Sequence, residues 1–161
     1  MGATAGSRRL RNHPLTTWAE FAEAAPELAA FGEERFRQAE VAYLATVRDD
    51  GSPRVHPVTP ILGEGRLFVF MEPTSPKERD LRRDPRYAMH SLVTDQDGNP
   101  GEFHIRGRGR PVDDAAIRAT VAEAAPYEPM ERWIAFEFSV EEAASTKYEG
   151  GNPVRRRWRF K

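Results

Sequence analysis

Two short segments bring together the residue types that bind a phosphate group. Arg54-Val-His-Pro-Val58 reads as one strand, so Arg54 and His56, two apart, share a face. Ser75-Pro-Lys-Glu78 has the form of a helix start, a capping box with Pro76 at the first helical position. Such a start exposes backbone N–H groups and the positive end of the helix dipole, both of which favour an anion. Lys77 adds a full charge in the first turn, and the Arg54 guanidinium is a planar two-pronged donor. Together they would neutralise a phosphomonoester. Glu78 works against an anion, because it competes for the same helix end. Each of these residues has an ordinary structural use when taken singly. What points to a ligand is their order: strand, Asp-Gly turn, Arg-x-His-Pro strand, strand, Ser-x-Lys helix start.

Other chemistries find little support. The chain has no cysteine, which excludes disulfides, thiolate metal sites, iron–sulfur clusters and a cysteine nucleophile. The four histidines, at 13, 56, 90 and 104, show no metal-ligand spacing, so no metal site is expected, and His90 reads as a core or interface residue. Arg106-Gly-Arg-Gly-Arg110 lacks the following helix and the Lys-Ser/Thr pair of a nucleotide loop, and reads as a solvated strand face. The tail Arg155–Lys161 interleaves arginines with aromatics. It is short, however, and strand alternation would turn Trp158 and Phe160 inward, so nucleic acid is not an expected partner. A formal net charge of −1 leaves any anion site to local structure. No apolar run approaches membrane-spanning length, and no apolar stretch follows the arginines near the start, so a cytoplasmic protein without a membrane partner is expected.

The elements that must position these groups follow from pattern. With 161 residues, 39% hydrophobic and 30% charged, the chain suits one globular domain. Residues 1–14 read as a flexible basic lead-in to a domain over 15–161. Thr16 or Thr17 can cap a helix to about Ala24, and Pro26 opens a second near 26–38 with Leu28, Phe31, Arg35 and Phe36 as its stripe. Val41–Val47 is an apolar strand, Arg48-Asp-Asp-Gly-Ser52 a hairpin turn, and Pro53–Leu62 the next strand. Gly63-Glu-Gly65 turns into Arg66–Met71, so the three strands read as an antiparallel meander. A helix at 76–83 stops before Pro85. Strands at 87–94 and 102–112 follow, then a helix capped by Asp113 through about Ala125, a strand at 133–140 and a last one at 154–160. Six or seven antiparallel strands with flanking helices indicate a mainly β, closed or nearly closed barrel.

Residues 41–91 resemble the pyridoxamine 5′-phosphate oxidase-like, FMN-binding split-barrel flavoproteins. The likeness is carried by Ala42-Tyr-Leu-Ala-Thr-Val47, Asp50-Gly-Ser-Pro-Arg-Val-His-Pro-Val58, Leu67-Phe-Val-Phe70, Ser75-Pro-Lys77 and Leu81-Arg-Arg-Asp-Pro-Arg-Tyr87, with a weaker echo in Ile105–Asp114. It implies a Greek-key-like split barrel, FMN as cofactor and a homodimer with the cofactor between subunits. Arg54, Ser75 and Lys77 would hold the flavin phosphate. Val55, His56, Pro57 and Val58 would line the ring or ribityl chain, and Val69, Phe70 and Met71 would run beside the ring through their backbone. Arg106, Trp133 and Trp158 would complete the site from the partner subunit. The chain ends in Arg157-Trp-Arg-Phe-Lys161, only partly like the end of true pyridoxamine 5′-phosphate oxidases, so vitamin B6 oxidation is not implied. The resemblance implies instead a flavin-dependent oxidoreductase acting on a small molecule, with His56 a weak candidate proton donor. Two other assignments keep the same barrel: a reductase using the 8-hydroxy-5-deazaflavin coenzyme, and a non-catalytic flavin or haem binder.

Overall fold

A computed structural model describes residues 15–161; the lead-in expected over 1–14 lies outside the described residues. Thr17 starts helix α1 (Trp18–Ala24) through a reciprocal capping box with Glu20, and Pro26 opens α2 (Pro26–Ala39). Strand β1 (Ala42–Val47) turns at Gly51, where φ is +84°, into β2 (Pro53–Val58). Then come β3 (Ile61–Gly63), β4 (Arg66–Met71), α3 (Pro76–Arg83), β5 (Arg86–Ser91) and β6 (Glu102–Pro111). Helix α4 (Ala115–Ala124), β7 (Ile134–Phe138), β8 (Glu142–Glu149) and β9 (Asn152–Arg159) complete the described chain.

All pairings are antiparallel, in the order β2-β1-β5-β6-β7-β4-β3. Strand β6 is where the sheet forks. One of its edges carries β5; the other carries β8 along Glu102–Arg106 and β7 along Gly109–Pro111, and β9 pairs with β8 alone. The first and last strands of the path, β2 and β3, are joined by only Thr59 and Pro60. Seven strands laid flat would separate them by about 29 Å, whereas three Cα steps span at most about 11 Å. The sheet must therefore curl until its ends meet, and the result is a split barrel.

Its interior is filled by Phe21, Leu44, Leu67, Met89, Phe103, Ile105, Phe136 and Phe138, with α1 and α2 closing one mouth. Trp18, Phe36 and Phe103 interlock there, Phe36 and Phe103 edge to face at 5.5 Å. A smaller cluster of Ile61, Phe68, Phe70, Val121 and Ala135 lies under α4. Among the described residues no helix is long and apolar enough to cross a membrane.

Several expected elements are corrected. Pro53–Leu62 is not one strand: it breaks at Thr59-Pro60, and its halves pair at opposite ends of the sheet, β2 with β1 and β3 with β4. The meander is thus two separate hairpins. Among the described residues the sheet holds nine strands rather than six or seven; β8 went unseen because Glu142–Glu149 offers only small Ala143 and Ser145 to the interior. The helix over 115–124 is capped by Asp114, whose carboxylate accepts from the N–H groups of Ala116 and Ile117, and not by Asp113. Trp158 does turn inward, whereas Phe160 stays exposed past the end of β9.

The arginine-glycine run of β6 has a division of labour. Arg106, Arg108 and Arg110 lie on the outer face, paired with Glu142, Glu141 and Glu137. Gly107 faces inward so tightly that a Cβ there would sit 2.3 Å from the Ser139 carbonyl oxygen. Gly107→Ala should cost about 1–3 kcal/mol or more, because the obstacle is backbone that cannot rotate aside. Urea denaturation compared with wild type would measure it.

Candidate functional site

The site begins with a buried charge. Asp80, on the inner side of α3, accepts hydrogen bonds from Thr46 Oγ1 of β1 at 2.8 Å, Arg54 Nε of β2 at 2.7 Å and an Arg83 terminal nitrogen at 3.2 Å. Burial pushes its carboxyl upward, but the bonds from Arg54, Thr46 and Arg83 and the Arg54 charge outweigh that and hold it below the usual carboxylate range. Arg83 also reaches the Val47 carbonyl at 2.5 Å, so β1, β2 and α3 are tied at one point. Arg54 is anchored through Nε, and its terminal nitrogens make no hydrogen bond among the described residues. Its fork is thereby fixed and left open for a ligand.

Around that fork stand three polar groups without partners. His56 shares the inner face of β2 with Arg54 and Val58, and its Nε2 is buried with no hydrogen bond. Burial, then the Lys77 and Arg54 charges, push its pKa below the usual value, so the ring is neutral at pH 7. Ser75 sits just before α3, and its Oγ is likewise buried and unpartnered. Lys77 is half-buried in the first turn, burial lowers its ammonium pKa, and it has no ion pair among the described residues. Buried donors are ordinarily satisfied, so two orphans beside a lone ammonium mark a place shaped for an acceptor.

The expected capping box at Ser75 does not form. Ser75 Oγ makes no cap bond, and Glu78 turns to Arg82 instead of back to the helix start. Two consequences follow: the first turn of α3 keeps free N–H groups, and the acidic residue expected to compete there is withdrawn. Thr74, immediately before, holds φ at +66°, a left-handed conformation that a β-branched residue adopts only under constraint. Two residues earlier, Glu72 accepts from Arg132 Nε at 2.7 Å and Trp133 Nε1 at 2.5 Å.

The other expected residues divide. Val55 and Pro57 point to the outer face of β2, where Val55 is 61% exposed, so their side chains lie away from the cluster. Val69, Phe70 and Met71 are buried side chains that offer only backbone. Strand β3 pairs with β4 no further than Phe68, so beyond it β4 keeps β7 on one edge and no strand on the other among the described residues. Trp133 is held by Glu72 and packs edge to face on Tyr127 at 6.0 Å. Arg106 lies three strands from β2 on the outer face, bound to Glu142, and Trp158 packs inward on Phe21 at 5.0 Å. Neither joins the Arg54 cluster within one protomer. Asp80 is the residue that motif reading missed; its signal was a carboxylate three residues from both Lys77 and Arg83 on an otherwise polar helix.

A profile described as pyridoxamine 5′-phosphate oxidase matches residues 26–146, which include every member of this cluster. The chain belongs to the pyridoxamine 5′-phosphate oxidase family. Among curated proteins none matches it in sequence. Solved structures share the split-barrel fold at low identity. A haem-binding protein from Mycobacterium smegmatis is 20% identical with a TM-score of 0.60, over 78% of this chain and 57% of the other. A Clostridium acetobutylicum protein related to general stress protein 26, of the pyridoxinephosphate oxidase family, is 11% identical with a TM-score of 0.61, over 79% and 92%. The haem storage protein HutZ from Vibrio cholerae is 15% identical with a TM-score of 0.54, over 73% and 89%. The chain thus spans little more than half of the M. smegmatis protein.

Asp80 gives the family barrel an acid-sensitive joint. Its folded pKa lies below its unfolded one, so its contribution to stability is present above the unfolded value near 4 and is lost as pH falls through the folded value. Asp80→Asn should lower stability at neutral pH and flatten the acid limb of the profile. Denaturant titrations of both proteins from pH 7 to pH 3 would show an unchanged acid limb if this account were wrong.

Proposed function

We propose that this chain binds FMN through its phosphate at the β2–α3 junction and acts as a flavin-dependent oxidoreductase on a small molecule in the cytoplasm. The observation that carries the proposal is the set of unpartnered donors at one helix start: Ser75 Oγ, the Lys77 ammonium and the open Arg54 fork, with neutral His56 beside them. A phosphate dianion would satisfy them and the free N–H groups of α3 together. Bound flavin would supply the redox chemistry. The chain's own residues would set its position: Asp80 aims Arg54, the inner face of β2 flanks the ligand with His56 and Val58, and Val69–Met71 offer the open backbone edge of β4. His56, neutral at pH 7, can hold or release a proton at Nε2.

A second copy of the chain completes the proposed site. The outer face of β2, β1 and β5 carries Pro53, Val55, Pro57, Tyr43 and Ala88, with Val55 61% and Tyr43 42% exposed, an apolar surface suited to burial in a homodimer. Arg106, Trp133 and Trp158 are the residues proposed to reach the partner's cofactor. The 8-hydroxy-5-deazaflavin coenzyme would use the same phosphate cradle, and the haem proteins of similar fold support a carrier role in which that cradle has no task.

FMN titration followed by flavin fluorescence tests the site. Arg54→Ala/Lys77→Ala should weaken binding by about 100-fold or more, because two charge-assisted contacts are lost, and Ser75→Ala/Lys77→Ala, which leaves Asp80 all its donors, should weaken it with the fold retained. Equal affinity in wild type and both variants would remove the phosphate site, and preferential uptake of the deazaflavin coenzyme or of haem would replace the cofactor. Light scattering at micromolar concentration should give the mass of a dimer; a monomer would overturn the shared site.

A further inference from the structure

The turn that leads into α3 carries a residue that its backbone shape does not suit. Glu72-Pro73-Thr74-Ser75 is closed by the Ser75 N–H, which donates to the Glu72 carbonyl at 3.1 Å, with proline in second place and a φ of +66° in third, the pattern of a type II turn. Glycine or asparagine ordinarily fills that third place. A left-handed residue presses its Cβ toward the following carbonyl oxygen, and a branched Cβ adds a second heavy atom to the crowding. Among the described residues two other non-glycines hold a positive φ, Glu40 and Glu64, and neither branches at Cβ. We propose that Thr74 supplies its hydroxyl as a further ligand to a bound phosphate, a role that rests on the phosphate site proposed above.

Strain of this kind gathers at ligand clamps, where a side chain has a task that glycine could not perform. The place of Thr74 in the chain gives that task. It stands three residues past Met71 of the open β4 edge and directly before Ser75, whose buried Oγ has no partner, so it borders both halves of the proposed flavin site. Its side chain is exposed, and its hydroxyl makes no hydrogen bond among the described residues. The γ-methyl restricts χ1, which limits the directions open to the hydroxyl and lowers the entropy lost on binding.

The backbone beside Thr74 offers few donors of its own. Ser75 spends its N–H on the turn, Pro76 has none, and the Arg79 N–H returns to the Ser75 carbonyl at 3.1 Å. The first turn of α3 is left with the N–H groups of Lys77 and Glu78. The carboxylates on either side are engaged elsewhere, Glu72 by Arg132 and Trp133 and Glu78 by Arg82, so neither repels an anion at full strength. A hydroxyl that donates to a phosphate oxygen makes a charge-assisted bond, stronger than one between neutral groups.

FMN titration of the full chain, with riboflavin as the phosphate-free control, tests the role. Thr74→Val, which keeps the branched Cβ and loses the hydroxyl, should weaken FMN binding by roughly tenfold or more, while Thr74→Ser stays within about threefold of wild type. Thr74→Gly, which relaxes the turn, should lose FMN affinity as Thr74→Val does. Riboflavin should bind wild type and variants alike. An FMN affinity unchanged in Thr74→Val, or an equal loss for riboflavin, would overturn the assignment. Where wild type binds no flavin, the flavin reading falls and inorganic phosphate decides for Thr74. Phosphate should then raise the thermal midpoint of wild type more than that of Thr74→Val, and equal midpoint shifts would overturn the role.

Discussion

A carboxylate can stay ionised inside a protein only where enough donors replace the water it has lost, and Asp80 meets that condition with three. Those donors come from β1, β2 and α3, so the charge cannot be satisfied unless the three elements are already in place. The same bonds decide what the neighbours can do. Arg54 spends Nε on Asp80 and keeps its fork; α3 is drawn against the barrel, which holds Ser75 and Lys77 above β2. Removing the carboxylate would leave Arg54 half-buried without a counter-charge and free to swing.

Much of the fold was written in local chemistry. Asp50-Gly51 marks the β1–β2 hairpin because Gly51 must take a positive φ, and Pro26 and Pro76 open helices where a missing N–H costs nothing. What local chemistry could not reveal was partnership. Val58-Thr-Pro-Ile61 reads as continuous strand through Val58, Thr59 and Ile61, although Pro60, which gives no ladder hydrogen bond, already marked a place where pairing could stop. That the chain changes partner at Thr59-Pro60 is a property of the closed sheet, visible only once both ends of the path are known. Strand β8 was hidden for another reason. Its interior positions are Ala143 and Ser145, and Trp158 of the neighbouring strand lies directly across from Ala143 and fills the room beside it.

For the site, residue types were legible and their states were not. Arg54, His56, Ser75 and Lys77 stood out from the order of motifs, yet Ser75-Pro-Lys-Glu spelled a capping box that the folded chain declines to make. Glu78 prefers the Arg82 guanidinium one turn on, which no pattern distinguishes from a reach backward. Whether a hydroxyl or an imidazole nitrogen is left without a partner depends on burial from several directions, and that is settled only by packing. Val55 and Pro57 show the complementary case: alternation along β2 already assigned them to the face opposite Arg54 and His56.

The Thr59-Pro60 link between the ends of the sheet has a mechanical consequence. In an open sheet the edge strands can drift apart, and a cleft between them widens or narrows with the molecule it holds. Here the edges are laced together by a tether too short to lengthen, one of whose two residues has its φ fixed by a ring. The joined ends of the sheet therefore keep a nearly constant spacing. Compliance is left to the loop over residues 72–75, where Thr74 is already held away from its relaxed backbone shape, so the chain between β4 and α3 can shift more readily than the barrel wall.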